Sequence, residues 1–305
     1  MAVNDLITAA RYNNAQGRVS AILGNGSGNE GYGQTVTSSQ VSSNIVIDAT
    51  HINAMFTDLK NIFVHQTGGN PNSIAEVEVG DTVAEDTSGG DTKEGFKDYE
   101  DFISIVEIPS NRFRLASAQS STLNNAKVIQ RRNQWTAPID CEFLVSFTSS
   151  DARRHFFNSG SSLTFISSLS GTPTVGDSVA KSQDWASILG NAGTVSLNHE
   201  ATTTSGTGVV QSIGNFDLTT SYQEIYRKSA TGVYGNNNYI LSAKAPTSST
   251  IQIKYNFYDA AVSGYKIDEP VQGLLEAKIG FVRASGSFVD VPAPAFAASN
   301  SLWHN

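Results

Sequence analysis

The sequence predicts a mainly β protein: an antiparallel β-sandwich body, preceded by an N-terminal helical pair and followed by an extended C-terminal arm. Three observations predict it. Charged residues make up only 16% of the 305, below the roughly 25% of an average globular chain. Ser, Thr, Asn and Gly fill the gap, as on uncharged polar sheet faces. The apolar period is three to four residues up to Val64 and becomes two from Ile74 onward. Near the end, Pro292-Ala-Pro-Ala-Phe296 alternates Pro with Ala, which favours extended, polyproline-like backbone. The length suffices to bury a sizeable core. The expected organisation is a helical anchoring region with a Gly-rich loop at 1–70, an acidic junction at 71–101, the β body at 102–291 and an extended tail at 292–305.

Residues 5–23 read as a helix capped by Asp5, with Tyr12, Ala15, Val19 and Ile22 on one face and Gly24 ending it. A turn-rich loop, Gly24-Asn-Gly-Ser-Gly-Asn-Glu-Gly-Tyr-Gly33, follows. Its glycines formally match G-x-G-x-x-G, but a helix precedes it where a nucleotide loop needs a strand. Asp48 or Thr50 caps a second helix to about Val64, and His65 near its end suits the helix dipole as a cation. Gly68 and Gly69 stop it. Ile52, Met55, Phe56, Leu59, Ile62 and Phe63 form a broad apolar stripe on this helix. That stripe either packs on the chain's own body or docks on another subunit, and with Phe296 and Trp303 of the tail it is the candidate assembly interface.

Period-two patterns then predict strands at Ala75–Val79, Phe102–Ile108, Arg112–Leu115, Glu142–Phe147, Leu163–Ile166, Thr194–Asn198, Val209–Phe216, Tyr222–Tyr226, Tyr239–Ala243, Ile251–Phe257, Leu275–Val282 and Phe288–Val291. The cleanest is Ile251–Phe257, with Ile251, Ile253, Tyr255 and Phe257 on one face. A short helix at Ser182–Leu189, carrying Trp185, Ile188 and Leu189, interrupts the series. Turn signals separate the strands at sandwich-like intervals.

Ten of the 28 acidic residues and two of the 20 basic ones fall between Glu76 and Asp101, so this strip carries the whole formal charge of -8. The balance excludes a phosphate-backbone binder, which needs clustered Lys and Arg. No nucleic-acid or membrane partner is expected, since no apolar run approaches 18 residues. The absence of a secretory leader pattern and the lone Cys141, read as a small core residue, predict folding in a reducing cytoplasm.

Catalytic signatures are missing from the sequence. The five histidines, His51, His65, His155, His199 and His304, make no metal-ligand spacing with Cys or one another. No nucleophile elbow or phosphate loop occurs. Asp140/Glu142, Asp151 and Asp268/Glu269 offer carboxylates of the kind a sugar hydrolase pairs, but they read as solvated groups at strand ends. Asp81, Glu85, Asp86 and Asp91 lack the spacing of a calcium loop. No catalytic residue, cofactor or metal is expected. Tyr234, Tyr239, Tyr258 and Tyr265 form a candidate glycan-stacking face.

Several blocks point to a family. Ala10-Arg-Tyr-Asn13, Ala21-Ile-Leu-Gly24, Gly26-Ser-Gly28, Gly31-Tyr-Gly-Gln34 and Val64-His-Gln-Thr-Gly68 form the first set. Gln134-Trp-Thr-Ala-Pro-Ile139, Val145-Ser-Phe-Thr148, Asp151-Ala-Arg-Arg-His-Phe-Phe-Asn-Ser-Gly160 and Ile267-Asp-Glu-Pro-Val-Gln-Gly273 form the second. Over about half the chain, these resemble virion structural proteins of tailed bacteriophages, of the contractile-tail type found in marine and cyanobacterial phages. That family continues the Phe-Phe-Asn-Ser-Gly turn with a second Gly and a charged pair. Here Ser161-Ser-Leu-Thr164 stands instead, so no role of that pair carries over. The resemblance implies a non-enzymatic particle component of the tail, baseplate, fibre or neck, located in the virion after assembly in the host cytoplasm. Its implied partners are copies of itself and other virion proteins. The alternative is a receptor-binding tail module that grips host surface glycan.

Overall fold

The computed structural model describes residues 7–81, 83, 95–260 and 268–304, with backbone only for 299–304. The chain divides into two compact units. The first comprises Met1–Ser121, Arg154–Gly160 and Arg283–Pro292; the second comprises Thr122–Arg153, Ser161–Val282 and Ala293–Asn305.

The first unit is built on helices α1 (Ala9–Leu23), α2 (Ala49–Thr67), α3 (Phe96–Glu107) and the single turn α4 (Pro109–Arg112). Thr8 caps α1 by accepting from the Arg11 amide; the predicted cap, Asp5, lies outside the described residues. Tyr12, Ala15, Val19 and Ile22 are buried as their spacing predicts. Asp48 caps α2, its carboxylate accepting from the His51 amide. Gly68 ends α2 in the left-handed region, at φ 78°. The polar stretch after the glycine loop is fixed by side chains of these helices. Asp58, fully buried, accepts from the amides of Thr37 and Ser38 at 2.8 Å each, and Asn13 exchanges two hydrogen bonds with the backbone of Val41.

Helix α3 corrects the predicted strand at Phe102–Ile108. Phe96, Tyr99, Phe102, Ile103 and Val106 are its buried residues, a helical spacing that a window beginning at Phe102 conceals. The acid end of the strip therefore belongs to a helix. Asp98 accepts from the Gly95 amide at the start of α3, Lys97 pairs with Asp101, and Arg11 forks onto Glu100. Helical structure thus runs past the predicted junction at 71–101, and strands begin at Ser120, later than the expected 102. Glu85, Asp86, Asp91 and Glu94 lie outside the described residues.

Two further predicted strands are absent. Ala75–Val79 has no ladder partner; Asn53 holds Val77 by both its amide and its carbonyl, and Val79 is almost fully exposed. At Arg112–Leu115, Pro109 opens a helical turn instead.

The second unit holds two antiparallel sheets. One has the order β1-β10-β3-β4-β5 and the other β11-β2-β9-β8-β7-β6. The strands are β1 (Ser120–Arg131), β2 (Ile139–Ser146), β3 (Ser162–Ser170), β4 (Val195–Leu197), β5 (Thr202–Thr204), β6 (Val209–Val210), β7 (Gln223–Ser229), β8 (Asn238–Thr247), β9 (Thr250–Tyr258), β10 (Leu274–Ala284) and β11 (Ala295–His304). Helix α6 (Val179–Ala192) completes the set; of α5 (Ser150–Asn158), residues 150–153 fall in this unit and those from Arg154 onward in the first.

The sheets face each other through aromatic side chains. Tyr255 of β9 meets Phe143 of β2 and, across the sandwich, Phe165 of β3 at 6.2 Å between centroids. Its hydroxyl donates to the Lys278 carbonyl of β10 at 2.6 Å. Ser167 of β3 donates to the Tyr239 hydroxyl of β8 at 3.0 Å. Ile251, Ile253, Tyr255 and Phe257 are all fully buried, as their alternation predicts. This is the mainly β sandwich with N-terminal helices that the sequence predicts.

The tail is extended, and from Ala295 it is a strand paired antiparallel with β2, Phe296 lying opposite Val145. The Val209–Phe216 strand shrinks to two residues before a 3-10 turn at Asn215–Asp217, and Phe288–Val291 contributes only an isolated bridge from Asp290 to Ser285.

Candidate functional site

The predicted interface residues are taken up inside the chain. Ile52, Met55, Leu59 and Ile62 have no exposed surface, Phe56 is 9% exposed, and half-buried Phe63 packs on Phe102 at 5.1 Å. The stripe is the core of the first unit, so contact with another chain through it would require unpacking α1, α2 and α3. Phe296 is half-buried and stacks on Phe281, with centroids 5.8 Å apart and an interplanar angle of 6°. Trp303 sits on β11, and its side chain is outside the described residues.

In the first unit, three segments far apart in sequence converge. The Gly24–Gly33 loop is gripped by residues 154–158. Arg154 donates to the carbonyls of Gly28 and Asn25, and the His155 ring also reaches the Asn25 carbonyl. Asn158 donates to the carbonyls of Asn29 and Gly31. These four carbonyls are thereby satisfied within the chain, and the amides of Glu30, Tyr32 and Gly33 donate to the carbonyls of Ser27, Ile22 and Gly24, so they are not offered to a phosphate. Tyr32, at the loop's end, is fully buried. Its hydroxyl donates to the Arg112 carbonyl and accepts from Gln66, which also donates to the Val106 carbonyl.

Two glycines here adopt positive φ, and one of them is dictated by space as well as conformation. At Gly31, φ is 95° and a Cβ would fall 2.5 Å from the carbonyl oxygens of Gly24 and Asn25. At Gly28, φ is 61° and a Cβ would meet nothing within 4 Å. Gly31→Ala is expected to cost about 2–3 kcal/mol and Gly28→Ala about 1 kcal/mol. Thermal unfolding of the two variants side by side checks the difference.

His65 lies at the centre of this joint. The sequence suggests a cation at the end of α2, but the ring is fully buried against Tyr32 at 5.1 Å, and its Nε2 donates to the Ser159 carbonyl at 2.9 Å. Nδ1 is buried without an acceptor, so a second proton would have no partner there. Burial accordingly lowers the pKa from 6.5 to about 4. On acidification the unfolded chain takes up the proton first. The stability contributed by neutral His65 is therefore complete above about pH 6.5 and falls by about 3 kcal/mol as the pH drops to about 4. Urea unfolding from pH 7 to 4.5 should show this loss, and His65→Gln should flatten it.

The candidate carboxylates do not pair with one another. Asp140 pairs with Lys254 at 2.7 Å, Glu142 accepts from Gln252, Glu269 accepts from the Tyr234 hydroxyl, and Asp151 stands exposed at the start of α5. The proposed glycan face does not form either. Tyr239 is buried between the sheets, Tyr258 is exposed, Tyr234 is half-buried, and Tyr265 lies outside the described residues. An open groove of about 760 Å³ in the second unit is lined by Arg132, Gln134, Ser170, Pro173, Gln272 and Leu274 among others, without an aromatic platform. Among the described residues, no three His, Cys, Asp or Glu side chains gather as a metal site, and no helix is long and apolar enough to cross a membrane. Cys141 is buried in β2, and burial pushes its thiol pKa up.

A cluster that the sequence reading missed lies in the second unit. Lys181, on α6, is fully buried between Asp259 and Asp268 at 2.9 and 2.8 Å. One signal for it was present. Lys181 precedes Trp185 by four residues and Ile188 by seven, so it shares their buried face. The predicted helix begins three residues too late, at Ser182, and so leaves Lys181 out.

The fold and these sites define a two-unit chain with a β-sandwich of fully enclosed aromatic core and a helical unit closed on its own apolar stripe. Compared with family models, with curated proteins and with solved structures, the chain matches none.

Proposed function

We propose that this chain is a non-enzymatic structural component of a phage virion, in the tail, baseplate, fibre or neck, which oligomerises and binds other particle proteins. The observation that carries the reading is the convergence in the first unit. Blocks far apart in sequence, Gly31–Gln34, Val64–Gly68 and Asp151–Gly160, resemble one family, and residues of all three meet around Tyr32, His65 and Asn158. There they hold backbone carbonyls and keep a histidine neutral. Such residues fix a shape, which is what a particle subunit requires of its most characteristic segments.

Since the α2 stripe is enclosed, contacts with copies or other proteins fall to the remaining surface. Edge strand β6 ends the six-stranded sheet with Val209 and Val210 exposed, and an edge strand offers unpaired backbone groups for pairing. Mass spectrometry of density-purified particles from the virus encoding the chain is expected to find it at a fixed ratio to the other virion proteins. Its absence from those particles, together with sedimentation of the purified chain as a monomer, overturns the reading.

A further inference from the structure

The Lys181 cluster has the composition and geometry of a self-condensing site. Nζ donates to Asp268 Oδ1 at 2.8 Å, while it approaches Asp259 Oδ2 at 2.9 Å outside hydrogen-bond alignment. The other Asp259 oxygen, Oδ1, accepts from the indole N–H of Trp185 at 3.2 Å. The surroundings are aromatic: Trp185 lies 6.2 Å from Phe257 and 6.3 Å from Trp135. The side chains of Lys181 and Asp259 are wholly shielded from solvent. A lone buried ion pair costs several kcal/mol of desolvation, which its mutual attraction need not repay. A covalent bond between the two groups removes both charges.

We propose that Lys181 and Asp259 condense to an intramolecular isopeptide bond, with Asp268 carrying the proton. Asp268 takes a proton from the Lys181 ammonium, and the freed nitrogen lone pair attacks Cγ of Asp259. The N–Cγ bond forms and one Cγ–O bond breaks. Two of the three ammonium protons leave with that oxygen as water, one of them passed on by Asp268, which ends in its starting state. The Trp185 N–H faces the oxygen that carries negative charge in the tetrahedral intermediate, as an oxyanion donor should. Burial also pushes the Asp259 carboxyl above the usual carboxylate range, which favours passing the ammonium proton held by Asp268 on to the departing Asp259 oxygen. No cofactor or co-reactant is needed, and exclusion of water opposes the reverse hydrolysis. The product ties α6 to the residue after β9, a link that would lock the second unit's helix onto its sheet.

The test is the mass of the denatured full chain. The wild-type protein is expected to be lighter than its sequence by one water. Tryptic digestion should give a branched peptide joining the Lys181 and Asp259 segments, with no cleavage after Lys181; the branch distinguishes it from dehydration to a succinimide. Asp268→Asn, folded by circular dichroism, is expected at the full sequence mass. A wild-type chain at full mass, with separate Lys181 and Asp259 peptides, overturns the proposal without reference to any variant. A branched peptide in Asp268→Asn would overturn the role of Asp268.

Discussion

Leu59→Asp is expected to unfold the helical core of the first unit. Leu59 sits at the middle of α2, has no exposed surface, and lies on the face shared by Ile52, Met55, Phe56 and Ile62. An aspartate there removes a buried leucine, which costs about 2–5 kcal/mol by itself. It also places a carboxylate in an apolar interior, where it stays uncompensated or takes up a proton. Asp58, next in sequence and fully buried, shows what the fold demands of an acid inside: both its oxygens accept from backbone amides. A carboxylate at position 59 has no such donors on the apolar face. The total loss is several kcal/mol, comparable to the whole stability of an ordinary domain. Hydrogen exchange should show lost protection across α1, α2 and α3, and circular dichroism a reduced helical signal. Retention of both would mean that the stripe is free to face another chain, the reading that its burial argues against.

The same stripe shows what was legible in the sequence and what was not. Its spacing specified the helix and its buried face, because a 3.6-residue period follows from local geometry alone. The identity of the covering surface is a matter of tertiary packing. One of the covering helices, α3, itself reads as a strand, since Phe102-Ile-Ser-Ile-Val106 is rich in β-formers and the preceding acids read as a junction. Tertiary contacts of Phe96, Tyr99, Phe102 and Val106 decide for helix there.

Strand β1 escaped for the opposite reason. Ser120–Arg131 lies mostly exposed at a sheet edge with only Ile129 buried, so it shows no alternation to detect. Strand β11 follows Pro292 and Pro294, and its pairing with β2 spans some 150 residues of chain, which no local pattern encodes. Central strands β8, β9 and β10, with one face buried against the opposite sheet, read true. The candidate sites followed the same rule. Lys181 is far in sequence from Asp259 and Asp268; Asp268 stands among the candidate carboxylates, but only the lysine's place on the apolar face of α6 hints at a cluster. The tyrosines suggest a glycan-stacking face because strand alternation alone does not say which face is the core. Tyr239 therefore probes folding: its replacement by Ala would disturb the sandwich whether or not the chain binds a sugar.

Tyr255→Ala is expected to be the most damaging change in the second unit. Tyr255 is fully buried in central strand β9 and touches both sheets, meeting Phe143 and Tyr239 on its own side and Phe165 on the other. Truncation removes the ring and leaves a cavity whose walls belong to several strands. Those strands are hydrogen-bonded into two sheets and cannot close in. Losses of about 3–5 kcal/mol follow for large aromatic side chains that become cavities. Tyr255→Phe separates the packing from the polar contribution. It keeps the ring and removes only the hydroxyl that donates to the Lys278 carbonyl, so it should cost about 1 kcal/mol. Burial raises the pKa of the Tyr255 hydroxyl well above the ordinary value; below about pH 9, where the tyrosine of the unfolded chain is also neutral, the difference between the variants should not vary with pH on its account. Chemical denaturation of wild type, Tyr255→Phe and Tyr255→Ala should rank them in that order, with the larger step between Phe and Ala. Equal steps would mean that the inter-sheet hydrogen bond contributes as much as the ring; a larger first step would make the hydroxyl, rather than the aromatic packing, the main link that Tyr255 makes between the two sheets.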